Sequence, residues 1–252
     1  MANGATPRPE RVFALLFLAV LLIALASQFL SAATGAQVTY VSNSTRPEQT
    51  ADNRTDEKGT ITTVLLNAIE QDQHWKAYVG NVTGSLVLDD ASSYRIYDWD
   101  LTGVTITGEV YVSRYSAPTF STVSCADATD VVAEHTFHNM TSSGADNVNK
   151  TFNSTAHRAF YVGTQLVTNS TCQSTTTFIN STRQAVSESA LFQEILLQDA
   201  ANHVLYTTLL ENDIDGYENA TTLRTYDFQI LVPESDVKST PTTYYFFTEI
   251  GS

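Results

Sequence analysis

The chain has 252 residues and a mass of 27.6 kDa, with 13 Lys+Arg against 27 Asp+Glu and a formal net charge of −14. Hydrophobic residues at 42% supply one substantial core and exclude a disordered chain. A balance this acidic excludes nucleic-acid binding by phosphate neutralisation.

Thr (36) and Ser (22) together make about 23% of the chain, which favours strands and loops over helices. The length allows one domain, or one domain carrying a large insertion.

Residues Met1–Arg11 are polar, with Arg8 and Arg11 as the positive charges. Val12–Ala33 is an uncharged run of 22 residues, about 33 Å of helix and enough to cross a bilayer. Its most apolar part, Val12–Ala26, has the length of a signal-peptide core, and Ser31-Ala32-Ala33 and Thr34-Gly35-Ala36 both fit a small-x-small cleavage site. Residues 1–36 therefore read as a cleaved signal peptide or an N-terminal membrane anchor. In either case the rest of the chain crosses to the extracellular side.

Residues 37–58 are a polar lead-in or stalk, with a small strand expected at Val38–Val41. An ectodomain of 59–252 follows, with a polar insertion at about 117–186. Its first expected strand is Thr60–Ile69, TITTVLLNAI.

Trp75–Tyr115 reads as an antiparallel meander with one half-buried face. Trp75, Ala77 and Val79 alternate, then Val82, Gly84, Leu86 and Leu88 alternate on the other parity, so a β-bulge is expected at Gly80-Asn81. Asp89-Asp90-Ala91-Ser92-Ser93 is turn chemistry. Tyr94–Leu101 and Gly108–Tyr115 are the next strands. Asp98 and Asp100 flank Trp99, as on a strand with one buried side.

Ser124–Met140 breaks the alternation. Asp127 or Asp130 can cap a helix there, with Val131, Glu134, His135 and His138 along one side. Thr141–Thr182 is the most polar part of the ectodomain, and Arg158–Val167 is its clear strand. Four apolar runs close the chain: Leu191–Asp199, His203–Glu211, Arg224–Val232 and Thr243–Ile250. The Asn212–Thr222 connection is expected to be exposed. The fold class is mainly β: an antiparallel β-sandwich with one short helix in the insertion, behind an N-terminal hydrophobic helix.

Asn-x-Ser/Thr occurs at Asn43, Asn53, Asn81, Asn139, Asn149, Asn153, Asn169, Asn180 and Asn219. With this Ser+Thr content chance gives about three, so the excess points to a glycosylated extracellular face. The two cysteines, Cys125 and Cys172, are an isolated pair, which in an exported protein most often forms a disulfide. Closing that loop is worth roughly 4 kcal/mol in the chain-entropy model.

The sharpest metal pattern is Glu211-Asn212-Asp213-Ile214-Asp215-Gly216. Glu211, Asp213 and Asp215 could aim oxygens at one Ca²⁺, but Thr222 stands where the closing Glu of a helix–loop–helix calcium loop belongs. Asp89/Asp90 and Asp98/Asp100 are weaker acidic pairs. His135 and His138 lack a third metal ligand nearby in sequence. The zinc-protease, nucleophile-elbow, P-loop and dinucleotide motifs are missing. No catalytic residue and no cofactor is expected beyond a calcium option.

The residues WKAYVGNVTGSLVLDDASSYRIYDW (Trp75–Trp99), then GEVYVSR (Gly108–Arg114), resemble a poorly characterised group of archaeal exported or membrane-anchored surface proteins. FQEILLQD, YTTLLENDIDGYEN, TYDFQILVPES and TPTTYYFFTEI resemble that group's C-terminal half. The resemblance covers roughly Gly59 to Ile250. It implies a prealbumin-like (transthyretin-like) β-sandwich, with the cysteines in a variable middle, and it brings no catalytic or ligand residues.

Three functions compete. The first is a glycosylated surface protein with a structural, adhesion or interaction role, whose partners are the membrane and other surface proteins or glycans. The second is an extracellular filament subunit that lends Val38–Val41 to a neighbour by strand addition. The third is a secreted enzyme or calcium-dependent binding module. Sequon-free aromatics at Tyr94, Tyr97, Trp99, Tyr111 and Tyr115 cannot all face one core, so some are expected to be exposed as an interface.

Overall fold

The structure is a computed structural model that describes residues 33–45, 53–66, 72–100, 106–219, 221, 224–235 and 241–251. The expected hydrophobic helix lies, up to Ala32, outside the described residues. No helix among the described residues is long and apolar enough to cross a membrane.

Among the described residues strand makes up 36% and helix 7%, so the fold is mainly β, and every strand pair there is antiparallel. The main sheet runs β1 (Thr34–Gly35), β15 (Tyr245–Gly251), β5 (Thr107–Ser113), β11 (Val204–Leu209), β10 (Gln193–Asp199) and β6 (Val123–Cys125). A seventh strand, β9 (Ser174–Thr176), pairs with β10 at Gln193–Ile195, beside the β6 pairing at Leu197–Asp199.

The central strands are buried almost throughout because both faces of this sheet are covered. Two-residue alternation puts Val110, Val112, Leu196, Val204 and Tyr206 on one face and Tyr111, Ile195, Leu197, Leu205 and Leu209 on the other. The first face packs against Val131 of helix α1 (Ala128–Phe137), against Phe152, and against Ile230 and Val232 of β14 (Phe228–Pro233). The second packs under Phe160, Val162 and Val167 of the hairpin β7–β8 (Phe160–Val162, Gln165–Val167) and under Cys172. Each fully buried Ile or Leu here contributes roughly 1.5–3 kcal/mol.

Helix α1 starts where expected. Asp127 Oδ1 accepts from the N–H of Thr129 at 2.7 Å and of Asp130 at 3.0 Å, and the Asp130 carboxylate reaches back to Asp127 N. Val131, Glu134, His135 and His138 are all buried, on the side the spacing indicates. A second helix, α2 (Val148–Thr151), is a single turn capped by Asn147.

Several expected elements differ. The Trp75–Tyr115 meander does not form. β2 (Trp75–Gly80) pairs with β14, far away in sequence, while β3 (Ser85–Asp89) and β4 (Arg95–Asp100) pair, among the described residues, only with each other. The parity change at Gly80-Asn81 is therefore the end of β2, not a bulge. The irregularity in this region falls at Leu88/Asp89, next to the turn.

Arg158–Val167 is a hairpin rather than one strand. Gly163, at φ 58°, turns the chain, and its N–H is held by Glu249 Oε1 at 2.8 Å. Val38–Val41 is exposed and forms no strand; the N-terminal pairing comes earlier, at Thr34–Gly35 against Phe247 and Thr248. Thr60–Leu66 is likewise without strand pairing, and residues 67–69 of that run lie outside the described residues. The Asn212–Thr222 connection sits on a short hairpin, β12 (Ile214–Asp215) with β13 (Thr225–Tyr226), and is largely exposed.

Candidate functional site

All nine sequon asparagines lie on exposed backbone. Asn139 and Asn180 occupy left-handed turn positions, at φ 55° and 48°, a conformation that asparagine tolerates well. Asn169 donates to Glu188 Oε1, and Asn149 Oδ1 accepts from Gln173 Nε2 at 3.3 Å. The contrast is Asn147, which belongs to no sequon. It is buried, and its amide donates to the carbonyls of Thr141 and Ser142 while its oxygen caps α2. The asparagine used inside the fold is thus not one that could carry a glycan.

The hairpin β3–β4 presents a second surface. Asp90 builds its turn, with Oδ1 accepting from Ser92 N and Tyr94 N, so this acid is structural. Asp89 pairs with Arg95 at 3.5 Å, and Arg95 lies 3.7 Å from Asp98. Cross-strand register places Leu88 opposite Tyr97 on the face that Trp99 shares. Tyr97 and Trp99 meet edge-on at 4.8 Å, yet they remain 56% and 51% exposed. The expectation that Trp99 marks a buried side is overturned by its exposure, and among the described residues β3 and β4 pair with no further strand. Tyr94 and Ile96 are also exposed, whereas Tyr111 is fully buried in the main sheet.

Cys125 and Cys172 place their sulfurs at disulfide-bonding distance with Cα atoms 5.0 Å apart. The pair ties β6, at the sheet edge, to the loop preceding β9.

The acidic loop does not bring its three carboxylates together. Glu211 is turned inward, where Oε1 accepts from Arg158 Nη2 at 2.8 Å and from Phe192 N. Asp213 uses its N–H to bind Asp227 Oδ1, and Asp215 is exposed on β12. These three carboxylates form no three-ligand cluster. His135 and His138 also belong to none. His138 Nε2 instead lies 3.4 Å from Glu134 Oε2, inside a buried network.

In that network Arg114 grips Glu134 through Nε at 3.2 Å and Nη2 at 2.5 Å, and the Tyr206 hydroxyl donates to Glu134 Oε2. The Arg114 guanidinium also stacks 3.6 Å over Phe137. Burial alone would raise the Glu134 carboxyl, but hydrogen bonds from His138 and Arg114 outweigh it and hold the group below its ordinary range. The network fastens α1 to β5 and β11. Its only sequence signal was the i, i+4 spacing of Glu134 and His138.

A second buried cluster pairs Glu109 with Glu249 across β5 and β15. The Tyr111 hydroxyl lies 3.1 Å from Glu249 Oε2 and 3.5 Å from Glu109 Oε2. Burial, then the neighbouring Glu249 carboxylate, pushes Glu109 up to about 8. Glu194 is fully buried, and burial pushes it well above its ordinary range; one oxygen accepts from Leu231 N and the other has no partner among the described residues.

Asp72, His74 and Asp146 bring three ligand atoms within 4.8 Å of one another. Here they work as a clamp: His74 Nδ1 meets Asp146 Oδ2 at 2.8 Å, His74 N–H donates to Asp72 Oδ1, and Trp75 Nε1–H donates to Asp146 O. This trio left little sign in the sequence, because Asp146 lies 72 residues from His74.

An open groove of ≈320 Å³ runs beside β1 and β15, lined by Ala36, Val38, Ser116, Tyr245 and Phe246 among others. It has an apolar character and no convergent charged groups. No protein-family model matches the chain, and neither a curated protein nor a solved structure matches it.

Proposed function

We propose that the chain is an exported, N-glycosylated cell-surface protein whose β-sandwich ectodomain serves a structural or interaction role rather than a catalytic one. The observation that carries this reading is the exposure of all nine sequon asparagines. An acceptor must be reachable by a bulky glycan, and each of these is.

Two further features support it. A cysteine pair at bonding distance is consistent with an oxidising, extracellular location. The β3–β4 hairpin, without a sequon, leaves Tyr94, Ile96, Tyr97 and Trp99 in solvent, and aromatic residues of this kind are enriched at interfaces. The run at 12–33 supplies export, either as a signal peptide or as an anchor that makes the membrane a partner. The resemblance of Trp75–Trp99 to archaeal surface proteins points the same way.

A membrane-impermeant amine reagent applied to intact cells tests the location. Lys58 and Lys150, both exposed, should be labelled before lysis. Labelling of these lysines only after lysis would overturn the reading.

A further inference from the structure

β2 forms one edge of a two-stranded sheet, and its outer side pairs with no strand among the described residues. Its direction follows from the pairing with β14. Glu234 N–H donates to His74 O, which continues the bonded positions at 76, 78 and 80. Pro233, which has no N–H, sits opposite Trp75 at a position needing no bond, and Leu231 sends its N–H to Glu194, away from β2. Trp75, Ala77 and Val79 therefore aim their N–H and C=O groups outward, with no backbone partner among the described residues.

Such an edge is a template for another strand unless something guards it. β2 holds no proline. Its lysine, Lys76, is neutralised by Glu234 at 2.8 Å.

The same chain also carries an unpaired strand sequence. Thr60–Val64 is five consecutive β-branched residues, followed by Leu65 and Leu66, and no charge interrupts the run. Ile61, Leu65 and Leu66 are 98%, 95% and 87% exposed. The backbone of Ile61–Leu66 makes no hydrogen bond among the described residues. These six residues match the six of β2 in length. The connection between them, residues 67–74, is long enough for a hairpin within one chain, yet no bond joins the run to β2 among the described residues.

We propose that Ile61–Leu66 of one copy adds as a strand to the outer edge of β2 in a second copy. The partner of this ectodomain is then another molecule of itself, a statement that rests on the surface-protein reading and deepens it. Main-chain hydrogen bonds from Trp75, Ala77 and Val79 provide the attachment. Every copy holds one donor and one edge, so the contact closes into a dimer when reciprocated and extends into a filament when it is not. Asn81, one residue beyond β2, lies past the end of the added strand and leaves it room.

Hydrogen exchange of the protein as purified from its cells, at two concentrations, is the test. Amides of Ile61–Leu66 and the outward amides of β2 should exchange at least about tenfold more slowly at high concentration than at high dilution. Val64→Pro, which disables the donor, and Ala77→Pro, which removes an outward N–H while leaving the β14 bonds intact, should each abolish that difference. Both positions are exposed in the single chain, so neither variant should impair folding. Protection equal at both concentrations would mean pairing within one chain, and fast exchange at both would mean no pairing; either result overturns the proposal. Surface labelling on intact cells is independent of this outcome, so a failed self-association leaves the location standing.

Discussion

Replacing Glu109 by Gln should stabilise the fold at neutral and alkaline pH and leave it nearly unchanged in acid. Glu109 sits at 6% exposure opposite Glu249, and its nearest donor, the Tyr111 hydroxyl, is 3.5 Å away and closer to Glu249. Its carboxyl titrates at about 8 in the fold and near 4.5 when the chain is unfolded. Below pH 4.5 both states hold the proton. Between about 4.5 and 8 only the unfolded state has released it, so the folded state binds one proton more and stability falls as pH rises. Above 8 both are ionised and the loss levels off.

A window of about 3.5 pH units at ~1.36 kcal/mol each gives a loss on the order of 5 kcal/mol. Glutamine has the same shape and no proton to lose. The variant should therefore gain ~3–5 kcal/mol over the parent at pH 8, or roughly 6–20 °C in Tm for a domain of this size. Thermal and urea unfolding of both proteins from pH 4 to 9 measures it. Parallel stability–pH curves for parent and variant would refute the buried, protonated carboxyl.

The other expectations concern the same framework. Reducing or replacing Cys125 and Cys172 should cost about 4 kcal/mol, and non-reducing peptide mapping should recover the two joined; free thiols in freshly purified protein would count against it. Arg114→Met should destabilise by about 3–5 kcal/mol, because it strands the buried Glu134 carboxylate, and Glu134→Gln in the same background should recover part of the loss. Gly108→Ala should prevent the β5–β15 register, since a Cβ at this φ of +132° would lie 2.0 Å from Glu249 O; loss of soluble folded protein checks it.

Much of the strand content was legible in the sequence, and the partners were not. Gly108–Tyr115, Leu191–Asp199, His203–Glu211 and Thr243–Ile250 showed their strands because apolar side chains lined at least one face. Asp127 showed the helix start because a carboxylate satisfies free first-turn N–H groups wherever the helix packs. Alternation reports which side chains share a face, not which strand lies alongside. That is why Trp75–Gly80 read as the start of a local meander when its partner, Phe228–Pro233, is some 150 residues away.

The same limit applies to the sites. Glu211, Asp213 and Asp215 alternate like ligands, but Arg158, 53 residues upstream, claims the first of them. Glu109 and Tyr111 are two residues apart on one strand, so their shared face was readable; that Glu249 completes the cluster was not. Thr60–Ile69 read as a strand from its β-branched residues, and its described part, Thr60–Leu66, is left unpaired, because local pattern does not name a partner.

Glycopeptide mass spectrometry of the chain purified from its own cells decides whether this is a glycosylated surface protein. Glycans are expected on most of the nine exposed asparagines, Asn43, Asn53, Asn81, Asn139, Asn149, Asn153, Asn169, Asn180 and Asn219, and none on the buried Asn147. Nine unmodified asparagines in that material would contradict it.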